Sequence, residues 1–180
     1  MEQKEKTIKS QEIFKGKILN LFVDEVKLPN GHTSTRELIR HCKASCVLAI
    51  NEKNEIIVEE QFRYPYDTTL IEFPAGKCDK DEDPKDTALR ELAEETGYIA
   101  NNIELLGLFY PTCAYSDEVI YLYLATDLKE GKQHLDKDET LSFSWIKLNE
   151  FIKMIQEDKV RDGKTLATMT YYLTKYRTIS

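Results

Sequence analysis

Residues 76–98, GKCDKDEDPKDTALRELAEETGY, crowd carboxylates into a segment that has the start and stop signals of a helix. Asp83 is a good N-cap, Pro84 suits the first helical position, and Gly97 is a natural C-terminal stop. These signals predict a helix over about residues 84–96. Crowded carboxylates repel one another, so we ask which function would favour keeping them together.

Three of these carboxylates are predicted to share one face of the helix. At about 100° per residue, Glu91, Glu94 and Glu95 fall together, and the residues expected to pack on a sheet fall on the opposite side: Ala88, Leu89, Leu92 and Ala93. Arg90 is the one basic residue in the same turn, at i,i+4 from Glu94. A solvated face is the alternative interpretation. Clustered carboxylates nevertheless favour a divalent-cation site, since Mg²⁺ prefers carboxylate oxygens and bridges substrate phosphates.

The spacing of the fixed residues resembles the Nudix box of the Nudix hydrolases. Gly76 is followed after five residues by Glu82, and seven residues later the run Arg90–Tyr98 reads RELAEETGY. Tyr98 departs from the family pattern, which usually has an aliphatic residue at that packing position. The match is far more specific than a short glycine motif. It implies a metal-dependent hydrolase that cleaves a diphosphate joining a nucleoside to another group.

The resemblance covers most of the chain from about Phe14 onward and is closest to the ADP-ribose pyrophosphatase group. The segments that carry it are Arg36-Glu37, EQFRYP at 60–65, EFPAGK at 72–77, Tyr110-Pro111, Ser116-Asp117-Glu118, LDKDE at 135–139 and RDGKTL at 161–166. For ADP-ribose, the implied products are AMP and ribose 5-phosphate. The implied cofactor is Mg²⁺, with Mn²⁺ as the alternative, because an acidic site binds a dianionic diphosphate only when a metal neutralises the charge.

The resemblance also implies a role for each matched position. The implied metal ligands are the Ala75 carbonyl and the carboxylates of Glu91, Glu95 and Glu139. The implied catalytic set is Glu139, Glu94, Arg90 and Glu82. Of these, Arg90 is expected to orient the carboxylates and Glu82 to brace the loop before the helix. The groups expected to contact the substrate are Arg36, Glu37, Arg63, Lys77 and Glu118. For the two arginines, an ordinary surface ion pair is the alternative.

The acidic loop HLDKDE at residues 134–139 is where the sequence departs from its relatives. Many relatives carry acids at the second and fourth positions of a DxxE-like loop, and one of them serves as the general base. Here Lys137 occupies the second position, and Glu139 fits the remaining acid. The general base therefore stays open among Asp136, Asp138, Glu139 and a glutamate of the helix. For Asp136 and Asp138, a solvated acidic turn is an equally good interpretation.

Alternating apolar residues predict a mixed sheet with few helices, hence the α/β class in the broad sense (α+β). Together with the resemblance, this predicts a Nudix-type α/β/α sandwich over residues 41–180, preceded by a small antiparallel β subdomain over residues 1–40. The first dozen residues are polar and are expected to be loose. Relatives form homodimers through their N-terminal strands, which implies the same here. The aromatic residues expected to stack on a base are Phe14 and Tyr64.

Composition narrows the classes of partner. The net charge is -7, from 25 basic and 32 acidic residues, so a nucleic-acid-binding surface is not expected. No apolar run reaches the ~20 residues that span a bilayer, and the charged start MEQKEKTIKSQ has no apolar signal region. A cytoplasmic protein without a membrane partner is therefore expected. The four cysteines show no zinc-like spacing and are expected to be reduced thiols.

Three functions remain in competition at this point. The leading one is hydrolysis of ADP-ribose or a similar nucleoside diphosphate sugar. The same scaffold can serve another nucleoside diphosphate derivative, such as a nucleoside triphosphate or GDP-mannose, in which case the products differ. The third is a sensor that binds ADP-ribose without cleaving it. Such sensors usually lose box carboxylates, and this chain retains all of them, which favours an enzyme.

Overall fold

The computed structural model describes residues 3–135 and 140–176. The chain divides into two compact units. The first combines Met1–Cys42 with Tyr110–Val119, and the second combines Lys43–Phe109 with Ile120–Ser180. The segment from Tyr110 to Val119 thus belongs to the first unit, although it is distant in sequence. The division that the sequence predicts, at residues 40 and 41, stays a prediction.

The first unit contains a three-stranded antiparallel sheet in the order β1-β2-β3. Its strands are β1 (Lys6–Lys15), β2 (Asn20–Lys27) and β3 (Thr33–Arg40). The expectation of a loose start was wrong, because the first strand begins at Lys6. Every residue of β1 is exposed, so backbone pairing with β2, rather than burial of side chains, orders this polar segment.

The second unit is built on two sheets. The four-stranded sheet has the order β7-β4-β9-β8, with β4 and β9 parallel and the other pairs antiparallel, so it is mixed. Its strands are β4 (Ala44–Ala49), β7 (Ala75–Lys77), β8 (Tyr98–Phe109) and β9 (Ile120–Glu130). The other sheet is antiparallel, in the order β10-β5-β6. Its strands are β5 (Glu55–Arg63), β6 (Thr68–Glu72) and β10 (Leu141–Lys147).

Three helices cover the sheets of the second unit: α1 (Pro84–Thr96), α2 (Leu148–Gln156) and α3 (Gly163–Tyr176). Successive residues of β4 point to opposite faces. Val47 and Ala49 pack with α1 in one core cluster, and Cys46 and Leu48 pack with α2 and α3 in the other. The α/β/α sandwich that the sequence predicts is therefore confirmed.

The predicted bounds of the acidic helix are confirmed as well. Asp83 is extended, and its Oδ1 accepts a hydrogen bond from the Lys85 N–H at 2.8 Å. At the other end, Gly97 has φ 77° and its N–H donates to the Ala93 carbonyl. A side chain would be strained in that left-handed conformation. Within the described ranges, no helix has the length and apolar character needed to cross a bilayer.

Candidate active site

Two glutamates of α1 lie on the buried side of the helix. Glu91 is 8% exposed and Glu95 is 3% exposed, although the sequence places both on a charged face opposite the packing residues. The sequence predicts only that the two share a face, and strand β7 lies against both of them. Glu94 alone of the three stays partly exposed. Burying a carboxylate is costly unless it is paired or hydrogen-bonded, so the partners of Glu91 and Glu95 decide what this face can do.

Strand β7 approaches both carboxylates through its backbone. The Ala75 N–H donates a hydrogen bond to Glu95 Oε2 at 3.0 Å. At Gly76, a Cβ atom would lie 1.9 Å from Glu91 Oε1 and 2.1 Å from Glu91 Cδ. No side chain fits there while the carboxylate keeps its place. The box therefore begins with glycine for a steric reason: the Glu91 carboxylate occupies the space that a side chain at position 76 would need.

Arg90 joins the remaining carboxylates into one cluster. Its Nε donates to Glu82 Oε1, and its Nη1 donates to Glu91 Oε1 and Glu94 Oε2, each at 2.9 Å. Its Nη2 also donates to the Lys77 carbonyl at 3.2 Å. The hydrogen bond to Glu82 is the main reason that the pKa of Arg90 is raised. Arg90 therefore contacts three of the carboxylates and relieves part of their repulsion, and its predicted role in the site stays a prediction.

Glu82 braces the loop before α1. Besides Arg90, its carboxylate accepts the Asp79 N–H and the Thr87 hydroxyl, each at 2.9 Å. The hydrogen bonds from Arg90, above all, lower the pKa of Glu82 to about 2. The part that Glu82 plays in the reaction stays a prediction.

The lowered pKa makes the stability contributed by Glu82 depend on pH. Its ordinary pKa is 4.5 and its folded value is about 2, so the unfolded chain binds more protons between these values, and stability rises with pH across that window. We expect Glu82→Gln to lower the free energy of unfolding at pH 7 and to flatten its decline between pH 4.5 and 2. Urea unfolding at several pH values measures this. Wild-type and variant curves that run parallel through the window would contradict it.

Among the predicted substrate-contacting groups of the second unit, Arg63 is paired with a buried carboxylate. Its Nε and Nη2 donate to the two oxygens of Glu72, each at 2.6 Å. The hydrogen bonds to Glu72 raise the pKa of Arg63 most, and the negative charge of Glu95 contributes to the same shift. Arg63 thus lies within electrostatic range of a box carboxylate. Lys77 is exposed at the end of β7.

The predicted substrate-contacting groups of the first unit lie on and beside β3. Arg36 forms a two-pronged ion pair with Glu5, at 3.0 and 2.5 Å, which is the surface pairing held as the alternative. Glu37 is exposed on β3. Glu118 lies 3.5 Å from Nδ1 of His41. The roles of these residues in binding substrate stay predictions.

The predicted acids of the last loop, Asp136, Asp138 and Glu139, lie outside the described residues, as does Lys137. The segment just before them is anchored to the end of α1. Gly131 N–H donates to Gly97 O at 2.7 Å, Gln133 Nε2 to Glu95 O at 2.5 Å, and His134 N–H to Glu94 O at 2.9 Å. Sequence reasoning did not find these contacts, because they join groups that are far apart in the chain.

The donor set fits a Mg²⁺ ion that shares its coordination with a substrate. Within residues 3–135 and 140–176, no group of three or more His, Cys, Asp or Glu side chains could hold a metal. Two buried carboxylates, Glu91 and Glu95, nevertheless meet beside the backbone of β7. Mg²⁺ is typically bound by one or two carboxylates together with substrate phosphates and waters, rather than by a complete protein cage.

A second polar cluster, which sequence reasoning missed, lies at the start of α3. Glu72 accepts hydrogen bonds from Lys164 as well as from Arg63. Asp162 caps the helix, with its Oδ2 accepting from the N–H and hydroxyl of Thr165 at 2.9 and 2.6 Å. The signal was present in DGKT at residues 162–165, where an N-cap acid precedes a Thr by three positions.

Comparison with known proteins agrees with this geometry. The family described as NUDIX domain matches residues 40–169, and the Nucleoside diphosphate sugar hydrolase N-terminal domain matches residues 5–39. This chain therefore belongs to the Nudix family, and the enzyme class that its box predicts is confirmed.

The chain is also similar over nearly its whole length to characterised relatives. It is 45% identical over 169 residues to the methanol dehydrogenase activator of Bacillus methanolicus and 41% identical over 169 residues to the ADP-ribose pyrophosphatase of Bacillus subtilis strain 168. Each alignment covers 93% of this chain and 91% of the relative. A crystal structure of an ADP compounds hydrolase shares the fold with a TM-score of 0.86 and 18% identity, covering 98% of each chain.

Proposed function

We propose that this protein hydrolyses the diphosphate bond of ADP-ribose or a similar nucleoside diphosphate sugar, giving a nucleoside monophosphate and a sugar phosphate. The observation that carries the proposal is the pair of buried carboxylates, Glu91 and Glu95, against the backbone of β7. A buried anionic pair of this kind favours a hard cation, and the cation attracts a diphosphate. The 41% identity to an ADP-ribose pyrophosphatase supports this choice of substrate class.

Mg²⁺ is the proposed cofactor, with Mn²⁺ as the alternative. Glu91, Glu95, the Ala75 carbonyl and Glu139 are the groups that would hold it. When bound, the metal neutralises the diphosphate charge and lowers the pKa of a water. A carboxylate of the chain would act as the general base, and the candidates are Asp136, Asp138, Glu139 and a glutamate of α1.

In this proposal, Arg90 and Glu82 hold the other carboxylates of the site in place. Arg90 fixes Glu91 and Glu94 at 2.9 Å each, so neither carboxylate can turn freely away from its position on the helix. Glu82 in turn holds Arg90 and the start of α1. Partners that orient a ligand in this way commonly matter for metal affinity and for activity almost as much as the ligand itself.

Each of the proposed substrate contacts suits a particular part of the ligand. Arg63 and Arg36 suit phosphate or ribose, since guanidinium binds such oxygens through two parallel hydrogen bonds. Glu37 and Glu118 suit the hydroxyl groups of a sugar. Lys77, at the end of β7, adds a further cation for the phosphates.

A homodimer in the cytoplasm is part of the proposal. The N-terminal sheet exposes several large apolar side chains in the first unit, which supports association through these strands. They are Ile8, Ile13, Phe14, Ile18 and Leu19. That the protein has neither nucleic acid nor membrane as partner is also part of the proposal, and the net charge of -7 supports the first of these.

One relative suggests a second candidate function. This relative is the methanol dehydrogenase activator of Bacillus methanolicus, which is 45% identical over 93% of this chain. Activation of an alcohol dehydrogenase by this protein is therefore worth testing beside hydrolysis. Adding the protein to a methanol dehydrogenase and following the rate of alcohol oxidation decides the matter, with Glu95→Gln as the control that separates activation by hydrolysis from activation by binding.

A substrate panel tests the main proposal. Purified protein with Mg²⁺ is incubated with ADP-ribose, GDP-mannose, a nucleoside triphosphate and a dinucleoside polyphosphate, and the products are separated by chromatography. AMP together with ribose 5-phosphate supports the proposal. Release of pyrophosphate from a triphosphate favours the alternative enzyme. Tight binding of ADP-ribose without any product favours the sensor. GDP-mannose belongs in the panel because enzymes named GDP-mannose pyrophosphatase are among the more distant relatives.

Removal of divalent cations should abolish turnover. In the absence of metal, the carboxylates around Arg90 outnumber the single guanidinium that pairs with them and repel a diphosphate. We expect EDTA to reduce the rate to background, and excess Mg²⁺ or Mn²⁺ to restore it. Circular dichroism with and without EDTA shows whether the fold persists. Full activity in EDTA, after exhaustive dialysis, would contradict the metal requirement.

A further inference from the structure

Glu72 is buried between two cations. Only 2% of the residue is exposed, and its two oxygens receive three hydrogen bonds. Arg63 donates one to each oxygen at 2.6 Å, and Lys164 Nζ donates to Oε2. Burial alone would raise the pKa of Glu72, but these hydrogen bonds and charges outweigh burial and lower it. The carboxylate is therefore ionised and depends on its cations.

The two cations differ in how firmly they are held. The Lys164 side chain is 13% exposed, and its Nζ also lies 3.1 Å from Asp162 Oδ2, the group that caps α3. Burial opposes the charge of Lys164, yet the nearby carboxylates of Asp162 and Glu72 keep its pKa raised. The Arg63 side chain is 37% exposed. Of the two, Arg63 is the cation that can reach a ligand from solvent.

The same helix end also holds the backbone that leads to the box. The Thr165 hydroxyl accepts a hydrogen bond from the Phe73 N–H at 2.9 Å, two residues before Ala75. Both Phe73 and Thr165 are buried. The start of α3 therefore fixes Glu72 and its neighbour together, directly before strand β7.

We propose that Lys164 is a positioning residue that keeps Glu72 paired while Arg63 leaves it to bind the substrate. The proposal rests on the proposed function, in which Arg63 contacts the phosphates or ribose of a nucleoside diphosphate sugar. A buried carboxylate that loses its last cation is strongly destabilised. Because Lys164 stays in place, Arg63 can exchange one anion for another without leaving Glu72 unpaired.

The first test needs no substrate. We compare the melting temperatures of Arg63→Met, Lys164→Met and the double variant. If Lys164 can hold Glu72 alone, the double variant loses at least about 6 °C more than the two single losses combined, because only then is Glu72 buried without a cation. Adding Glu72→Gln to the double variant should recover this excess loss. If Arg63→Met alone is destabilised as much as the double variant, Lys164 cannot hold Glu72 and the proposal is wrong.

The second test uses kinetics with ADP-ribose. Lys164→Met removes the charge and keeps the length of the side chain, so Arg63 remains on Glu72, and we expect KM to rise at least about tenfold with a smaller change in kcat. In the Arg63→Met background, Lys164→Met should change KM little. Lys164→Arg should restore most of the loss, and Lys153→Met, at an exposed position of α2, should match the wild type.

The outcomes of the two tests are distinct. An equal rise in KM from Lys164→Met with and without Arg63 would overturn the proposal, because Lys164 would then act independently of Arg63. Failure of the wild type to cleave any diphosphate sugar would overturn the proposed function instead. The melting temperatures would still decide, in that case, whether Lys164 holds Glu72 by itself.

Discussion

Glu95→Gln is expected to reduce turnover by about a hundredfold or more while leaving the fold intact. The change removes the negative charge of a buried residue that the proposal places on the metal, and stabilisation by a bound metal amounts to several kcal/mol, where each 1.4 kcal/mol is about tenfold in rate. The amide oxygen can still accept the hydrogen bond that the Ala75 N–H donates to Glu95 at 3.0 Å. Steady-state kinetics at saturating Mg²⁺ measures the loss.

The control for this variant is Glu150→Gln, an exposed glutamate in the first turn of α2. It makes the same chemical change away from the box and should match the wild type. A melting curve for each protein separates loss of catalysis from loss of fold. If Glu95→Gln turns over at the wild-type rate, the assignment of the metal ligands is refuted.

Gly76→Ala is expected to reduce activity by about a hundredfold and to lower the melting temperature by only a few degrees. The added Cβ would lie 1.9 Å from Glu91 Oε1, so the carboxylate must move. Displacement of a reacting or coordinating group by about 1 Å can cost about a hundredfold in rate. The fold suffers less, because the displaced atoms are the end of a flexible side chain. Kinetics on one preparation measures the loss of activity, and thermal unfolding of the same preparation measures the change in melting temperature.

The matched control is Gly163→Ala at the start of α3. A Cβ at that position would meet Phe109 Cζ at 3.5 Å, an ordinary van der Waals contact. Activity and melting temperature should therefore stay close to those of the wild type. Gly76→Ala with undiminished activity would mean that the position of the Glu91 carboxylate does not matter for turnover.

Short sequence patterns predicted the features of the structure that depend on residues close together in the chain. Asp83, Pro84 and Gly97 set the bounds of α1, because capping depends on residues within one turn of each end. The strand pattern and the family resemblance together predicted the sandwich, in which strand β4 is buried on both of its faces. The Nudix box predicted the enzyme class, because all of its residues lie within one short stretch of sequence around helix α1.

Short sequence patterns could not predict the contacts between segments that are far apart in the chain. Strand β7 lies against the face of α1 that carries Glu91 and Glu95, and the periodicity of the helix gives no information about that strand. The pairing of Glu72 with Lys164 joins positions 92 residues apart. Strand β1 forms through backbone pairing with β2, and none of its side chains is buried to signal the strand.

The most direct test is the anomalous scattering of Mn²⁺ in a crystal grown with the metal and a non-hydrolysable methylene analogue of ADP-ribose. We predict a peak beside the carboxylates of Glu91 and Glu95 and the Ala75 carbonyl, with the diphosphate of the analogue on the same ion. A helix α1 bare of metal, with the analogue bound elsewhere or not at all, would contradict the central role of these carboxylates.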